Sequence, residues 1–378
     1  MDLINELLRI RKKKVRRIIG CMSGTSFDGI DVAIVDIDGV YTNTKYQLLY
    51  ADTFEYPQTL KELLTRFTNH PGMEDLALLD WWIGKLHVEA ICEALEKSGI
   101  SKESVDLISM HGQTVWHDPK KMSLQIGNAD MVSSEIGKLV VCDFRSGDIA
   151  TGGEGAPLTP YVDYIVFGKG KKTILLNNIG GISNVTVVTD DLHDLIAFDT
   201  GPGNVLINLA VKRYFNLEYD PDGEIASKGV VKEEVVHRVL KSDEYIHISP
   251  PKSTGREYYN SSFLDRFQVS DPYDLVATVT YYTAYTMYYA YKRFIFPKYD
   301  VKYIYLSGGG ARNRTLVRYL RNLMPKKRIV RFSDTFSKYK EAIWFAILGN
   351  EFINSYPSDL RSITGARKRK ILGRLAVP

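Results

Sequence analysis

The sequence predicts an α/β protein of two lobes, each built on one succession of strands and helices and opened by a hairpin with a glycine-bearing turn. Three observations carry that expectation. At 378 residues the chain is longer than the roughly 250 residues at which a single core stops growing. The order buried strand, glycine turn, second strand occurs near the start and again half a chain later. After each occurrence, runs of helical and strand character alternate, as they do in α/β units.

The elements follow in order. VRRIIGCM (15–22) is a β-branched strand, SGTSFDG a turn closing on Asp-Gly, and IDVAIVDID (30–38) an alternating return strand. EDLALLDWWIGKLHVEAICEALEK (74–97) reads as helix, and VDLISM (105–110) and KLVVCDF (138–144) as strands. The second half opens with KKTILLNN (171–178), the turn IGG and ISNVTVV (182–188). Strand LIAFD (195–199), a helix after GPGN, a long helix from Asp271 and strand VKYIYLS (301–307) before SGGGARN complete it. Such a duplication, with two hairpins facing a central cleft, is the ribonuclease H-like architecture of actin, hexokinase and the heat-shock ATPases. The lobes are expected over 15–165 and 166–378, with a basic extension over 1–14.

Composition excludes several function classes. A hydrophobic content of 44% with 25% charge is ordinary for a globular protein, and a net charge of +4 does not call for a nucleic-acid partner. RIRKKKVRR and RKRK (367–370) read as solvated tails, and Asp2 and Glu6 argue against a transit peptide. With no run of 18 apolar residues and no signal-peptide region, a cytoplasmic protein without a membrane span is expected. Cys21, Cys92 and Cys142 lack CxxC spacing and read as reduced thiols. His111 and His117 have no further ligand nearby that would complete a metal shell.

Chemistry is expected at the glycine turns. Backbone N–H groups of Gly24, Thr25 and Ser26 can cradle phosphate oxygens, with the hydroxyls as added donors. Either hairpin alone serves equally as a plain tight turn. The first loop is longer and richer in hydroxyls than a turn requires, and SGGGARN (307–313) adds a third glycine loop between a strand and a helix. Three such loops point to a nucleotide. Asp199 ends its strand and runs into TGPGN, where Gly201 and Gly203 let backbone approach a ligand and Asn204 is positioned to cap the next helix. In DFRSGDIATGGEGAPL, Arg145 suits a carboxylate or phosphate, or an ion pair with Asp143 or Asp148. In PPKSTGREYYN, charge alone does not decide what Lys252 and Arg256 do. The tyrosines of the helix from Asp271 read as core packing.

Taken together, GCMSGTSFDGID, SMHGQTVWH, LQIGN, CDFRSGDIATGGEGAPL, NNIGGISN, AFDTGPGN, PPKSTGRE, SGGGARN, KEAIWFAILG and SITGA resemble, in order and from about residue 18 onward, the anhydro-N-acetylmuramic acid kinase family. The resemblance implies an ATP-dependent, magnesium-requiring kinase that opens a 1,6-anhydro bridge with water, phosphorylates O6, and so makes N-acetylmuramic acid 6-phosphate in cell-wall recycling. It implies Asp199 as the base that activates water. For ATP it implies the loop Gly24, Thr25, Ser26, Phe27, Asp28, Gly29, Ile30 and Asp31, together with Gly180, Gly181, Gly201, Gly203, Gly308, Gly309 and Asn313. For the sugar it implies Arg145, Asn204 and Glu341, and for Mg2+ Asp28 or Asp31 through water. Asn208 stands where the family usually has aspartate, and Trp344 is bulkier than the small residue expected after KEAI. A levoglucosan-type kinase, or a nucleotide-switched binding protein, is the alternative. Expected partners are ATP and a small anhydrosugar, with no nucleic acid or membrane, and a homodimer is among the expectations.

Overall fold

A computed structural model describes residues 2–24, 27–168, 170 and 172–378. The chain divides into two compact units, Met1–Lys169 with Lys338–Pro378, and Gly170–Ser337.

In the first unit, β1 (Val15–Ser23), β2 (Gly29–Asp38) and β3 (Lys45–Glu55) form an antiparallel meander. β1 pairs in parallel with β4 (Leu107–Asp118), which folds back on β5 (Met122–Ile126) and pairs in parallel with β6 (Val140–Cys142). β1 and β2 bury successive residues, as strands covered on both faces do. One cover is the helix Met73–Ser98, whose Leu79, Ile83, His87, Ile91 and Leu95 recur every fourth residue on the buried side. It ends at Gly99 in the left-handed conformation.

The second unit repeats the plan. β7 (Thr173–Ile179), β8 (Ile182–Val188) and β9 (Ile196–Pro202) form the meander, and β7 pairs in parallel with β10 (Val301–Ser307), which pairs in parallel with β11 (Arg328–Arg331). The orders β6-β4-β1-β2-β3 and β11-β10-β7-β8-β9 are the same topology used twice, which is the duplicated α/β fold the sequence predicts.

Two boundaries differ from expectation. Residues 338–378, assigned from sequence to the second lobe, return to the first unit. The helix Asp334–Ile353 lies against β1 so closely that a Cβ on Gly20 would run into the carbonyl oxygen of Ala342, and Ser109 Oγ on β4 donates to the Phe345 carbonyl at 2.5 Å. β12 (Arg374–Ala376) then adds antiparallel to β6 and covers that edge. KLVVCDF also stops early as a strand, because Asp143 takes φ +52° and caps the helix Phe144–Ile149.

The basic extension is likewise part of the first unit. Leu3–Lys12 is a helix capped by Asp2, Ile10 is fully buried, and Arg9 and Lys13 reach the buried Asp106 at 3.4 and 2.6 Å. Arg16 donates to the Ile10 carbonyl and to Asn350. Charge pattern alone does not reveal such pairing, since the acid lies some ninety residues away. Removing residues 1–14 strips Ile10 from the core and two cations from a buried acid. It is expected to cost about 2–4 kcal/mol, a fall in Tm on the order of 5–10 °C by calorimetry. An unchanged Tm would show that the helix only rests on the surface.

Candidate active site

In the first unit the turn between β1 and β2 is held from below by β4. Gln113 Nε2 donates to the Gly24 carbonyl at 3.0 Å, and Ser23 Oγ lies 3.5 Å from His87 Nε2. Phe27 takes φ +59°, and Asp28 is exposed. Thr25 and Ser26 lie outside the described residues. Gly29 and Ile30 are buried at the start of β2, where they pair with β3. Asp31 is half-buried and accepts from Thr53 Oγ1 at 2.6 Å, and burial raises its carboxyl above the usual range.

Arg145 is the second residue of the helix capped by Asp143. Its Nε donates to His111 Nε2 at 2.9 Å, and its Nη1 to the Gly155 carbonyl at 2.9 Å. A guanidinium can only donate, so His111 Nε2 must accept, and its proton sits on Nδ1, which donates to the Gly112 carbonyl at 2.7 Å. Burial and the adjacent guanidinium push the His111 imidazole down to about 3, so it stays neutral. The ion pairs open to Arg145 from sequence do not form. Asp143 binds Arg374, and Asp148 accepts from Gly155 N and Thr364 Oγ1. Arg145 Nη2 has no hydrogen-bond partner among the described residues.

Glu341 faces water on the helix Asp334–Ile353, yet enough protein surrounds it to raise its carboxyl, against the opposing pull of Lys340 and Arg145. Trp344 is turned inward, 1% exposed, and its Nε1 donates to Asp163 at 2.8 Å. Lys340 pairs with the same oxygen at 2.6 Å.

In the second unit three glycine turns converge. Gly203 N and Asn204 N donate to the carbonyls of Gly181 and Gly180 at 2.9 and 2.8 Å, and a Cβ on Gly203 would run into the Gly180 oxygen. Gly308 to Gly310 pack over Ile179 and the Asn204 amide, with Gly309 left open. Asn204 does not cap its helix as expected. Its Nδ2 instead donates toward the Ile179 carbonyl at 3.4 Å. Asn313 is a cap, accepting from Leu316 N at 2.8 Å. Beside this turn, Ala311, Arg312, Arg314, Arg321, Arg331 and Asp334 line a recess of about 640 Å3.

Asp199 lies inside β9, two residues before Gly201; the strand runs on to Pro202 instead of ending at Asp199 as the sequence led one to expect. Thr254 N donates to its Oδ2 at 2.9 Å, Tyr245 Oη donates to its carbonyl at 2.9 Å, and its own N–H bonds the Lys252 carbonyl at 3.2 Å. Oδ1 has no hydrogen-bond partner among the described residues. Burial raises the carboxyl, opposed by the Thr254 N–H and by Lys252. Burial also pushes the Lys252 ammonium down to about 8, while it donates to the carbonyls of Tyr245 and Ile246. Arg256 lies over Gly181. Lys252 and Arg256, undecided from charge, thus stand beside Asp199 and a glycine turn. His111 carried no sequence signal beyond its place in SMHGQTVWH, and its role emerges only from contact with Arg145. Among the described residues no group of three or more metal-ligating side chains gathers.

The neutral His111 has a stability consequence. Its folded-state pKa lies below the unfolded value near 6.5, so the unfolded chain binds a proton first as pH falls. Its contribution is therefore complete above about 6.5 and is lost progressively as pH drops toward 3. In His111→Gln the unfolding free energy should vary with pH between 6 and 4 by about one proton less than wild type, a slope difference of roughly 1.4 kcal/mol per unit in denaturant titrations. Equal slopes would mean that His111 is not held neutral.

The sequence profile of the anhydro-N-acetylmuramic acid kinases matches residues 16–378. Curated proteins of that name are similar over almost the whole chain. The one from Caldanaerobacter subterraneus subsp. tengcongensis is 40% identical, covering 99% of this chain and 100% of its own. The one from Clostridioides difficile is 38% identical, covering 94% and 97%. Among solved structures, component A of (R)-2-hydroxyglutaryl-CoA dehydratase from Acidaminococcus fermentans is 12% identical with a TM-score of 0.45, over 89% of this chain and 99% of that one. With a profile match over nearly its full length and relatives at this identity, the chain belongs to the anhydro-N-acetylmuramic acid kinase family.

Proposed function

We propose that this kinase transfers the γ-phosphoryl group of ATP to O6 of 1,6-anhydro-N-acetylmuramic acid while water opens the anhydro bridge, with Asp199 as the base. The observation that carries the reading is the state of the Asp199 carboxylate. One oxygen is fixed by the Thr254 N–H, the other has no partner among the described residues, and burial raises its basicity toward the working range of a general base. Asp199 takes a proton from water, the water oxygen bonds the anomeric carbon, and the bond from that carbon to O6 breaks. O6 then bonds the γ-phosphorus as ADP leaves. The product is N-acetylmuramic acid 6-phosphate, and the reaction serves cell-wall recycling. The leaving oxygen receives phosphorus, so no separate acid is needed.

The remaining residues take roles by position. The converging turns at Gly180, Gly181, Gly201, Gly203, Gly308 and Gly309 offer close backbone approach for phosphates, and the arginine-lined recess after Gly310 suits the rest of the nucleotide. The stretch Gly24–Asp31 is the phosphate loop of the first unit. Asn313, a helix cap, holds the Gly308 turn and reaches ATP only through it. Arg145, fixed by His111 with Nη2 unpaired among the described residues, favours a sugar that carries a carboxylate, as muramic acid does and levoglucosan does not. Glu341 and Asn204 are assigned to the sugar by the family resemblance. Either Asp31, with one oxygen on Thr53, or the exposed Asp28 would hold magnesium through water. A cation bound mainly by phosphates and water needs no acidic cage, and none gathers among the described residues. When bound, it neutralises charge on the transferring phosphoryl group.

Three measurements test this. ADP release should require the anhydro sugar and be far greater with anhydro-N-acetylmuramic acid than with levoglucosan. Asp199→Asn keeps size and most hydrogen bonding but cannot take a proton, so turnover should fall at least about 100-fold while ATP still binds. In oxygen-18 water, quenched early against anomeric exchange, label should enter at the anomeric carbon and not in the phosphate ester. Unlabelled early product, or near wild-type turnover of Asp199→Asn, would replace this reading with an ordinary kinase acting on a free hydroxyl.

A further inference from the structure

One buried acid outside the groups already described holds both ends of the loop that reaches Asp199. Asp243 is 0% exposed and caps the short helix Glu244–His247, its Oδ1 accepting from Tyr245 N at 3.1 Å. The same oxygen accepts from Tyr258 Oη at 3.0 Å, and Oδ2 accepts from Tyr259 Oη at 2.9 Å and Tyr282 Oη at 2.5 Å. Tyr282 belongs to the helix Pro272–Ala290, so the carboxyl group is tied to the body of the unit. The segment from Tyr245 to Tyr259 therefore leaves Asp243 and returns to it.

Everything that segment offers Asp199 lies between those two attachments. Tyr245 supplies the hydroxyl on the Asp199 carbonyl, Lys252 the carbonyl on the Asp199 N–H, and Thr254 the N–H on Oδ2. Residues 249–255 contain no helix or strand, so no backbone ladder fixes their height above β9. What fixes it is the closure of the segment on one carboxyl group, aided by the Lys252 ammonium on the carbonyls of Tyr245 and Ile246. Loss of that closure would leave three phenols in the core without their acceptor and free the Thr254 N–H from the base.

We propose that Asp243 is a positioning residue for the reaction: by gripping both ends of 245–259 it holds the Thr254 N–H on Asp199, an inference that rests on Asp199 being the base. A group that merely staples the core would change stability alone. A group that places the Thr254 N–H also sets the ionisation of Asp199, because a donor to the charged form lowers a carboxyl pKa and its removal raises it.

The test is the pH dependence of kcat/KM with ATP and anhydro-N-acetylmuramic acid for wild type, Asp243→Asn, Tyr258→Phe and Asp199→Asn. Asp243→Asn should lower kcat about 10-fold or more, leave KM for ATP within about twofold, and move the acidic limb to higher pH by at least about half a unit. Tyr258→Phe, which removes one attachment of a half-buried ring, should move the limb in the same direction by less. A folded Asp243→Asn enzyme with the wild-type limb overturns the proposal, even if its Tm falls. Should Asp243→Asn not fold, an unmoved limb in Tyr258→Phe overturns it equally. If Asp199→Asn is inactive while both limbs stay in place, only the positioning role fails. If Asp199→Asn turns over normally, the base assignment fails and the proposal with it.

Discussion

Strand direction is the constraint on which the rest of the structure depends. In the second sheet β8 reverses between β7 and β9, and β10 lies parallel to β7, so β7, β9 and β10 all end at one edge. Their ends carry Gly180 and Gly181, Gly201 to Asn204, and Gly308 to Gly310. Residues more than a hundred positions apart become neighbours because a parallel strand must be reached by a crossover that restarts it at the opposite edge. The first sheet obeys the same rule. β1 ends at the Gly24 turn, β4 passes beneath it with Gln113, and β6 ends at the helix of Arg145. Each unit thereby presents its open groups at the carboxyl edge of its sheet, where α/β units place ligands.

The helix Asp334–Ile353 decides what the first unit adds at that edge. Ala342 and Phe345, three apart, face the sheet and meet Gly20 and Ser109. Glu341 is left in water on another face. Lys340 and Trp344, four apart, turn together onto Asp163, where a buried acid is satisfied by an ammonium and an indole N–H. The bulk of Trp344 is absorbed there, edge-on to Tyr46.

Local chemistry made most of the fold legible. β-branched runs located β1, β2, β7, β8 and β10 to within about two residues, and glycine or Asp-Gly turns fixed their pairing. β3 was not read, because KYQLLYADTFE is half-buried along its length and shows no clean alternation. β11 and β12 have only four and three residues, too short for any period to appear. The lobe boundary was misplaced for a different reason. A chain that re-enters its first unit leaves no local mark, and the mark that exists, a glycine at position 20 facing a helix near 342, is a non-local fact. In the site, Asp199 stood out in the sequence as a strand end, but the strand runs three residues further, because the glycine-bearing TGP continues to pair with β8. His111, Thr254 and Asp243 were not legible, because each acts through a contact whose partner lies far along the chain.

Burial works in opposite senses on the two charged groups beside Thr254. It raises the Asp199 carboxyl and lowers the Lys252 ammonium to about 8, so each approaches neutrality from its own side. The two shifts limit one another. The ammonium favours the ionised carboxylate, which moderates the rise that burial alone would impose, and the carboxylate favours the charged lysine in return. Lys252 spends its donors on the carbonyls of Tyr245 and Ile246 and lies 4.5 Å from the Tyr245 ring centroid, so it serves as a countercharge built into the loop. An ionised Asp199 in a loop held by a charged Lys252 therefore exists only above the carboxyl's raised pKa and below about pH 8. Tyr282, one of the helix tyrosines that read as core packing in the sequence, bounds this window together with two tyrosines of the loop. Tyr258, Tyr259 and Tyr282 anchor the loop through Asp243, and only while it is anchored do the carboxylate and the ammonium stay close enough for either to act on the other.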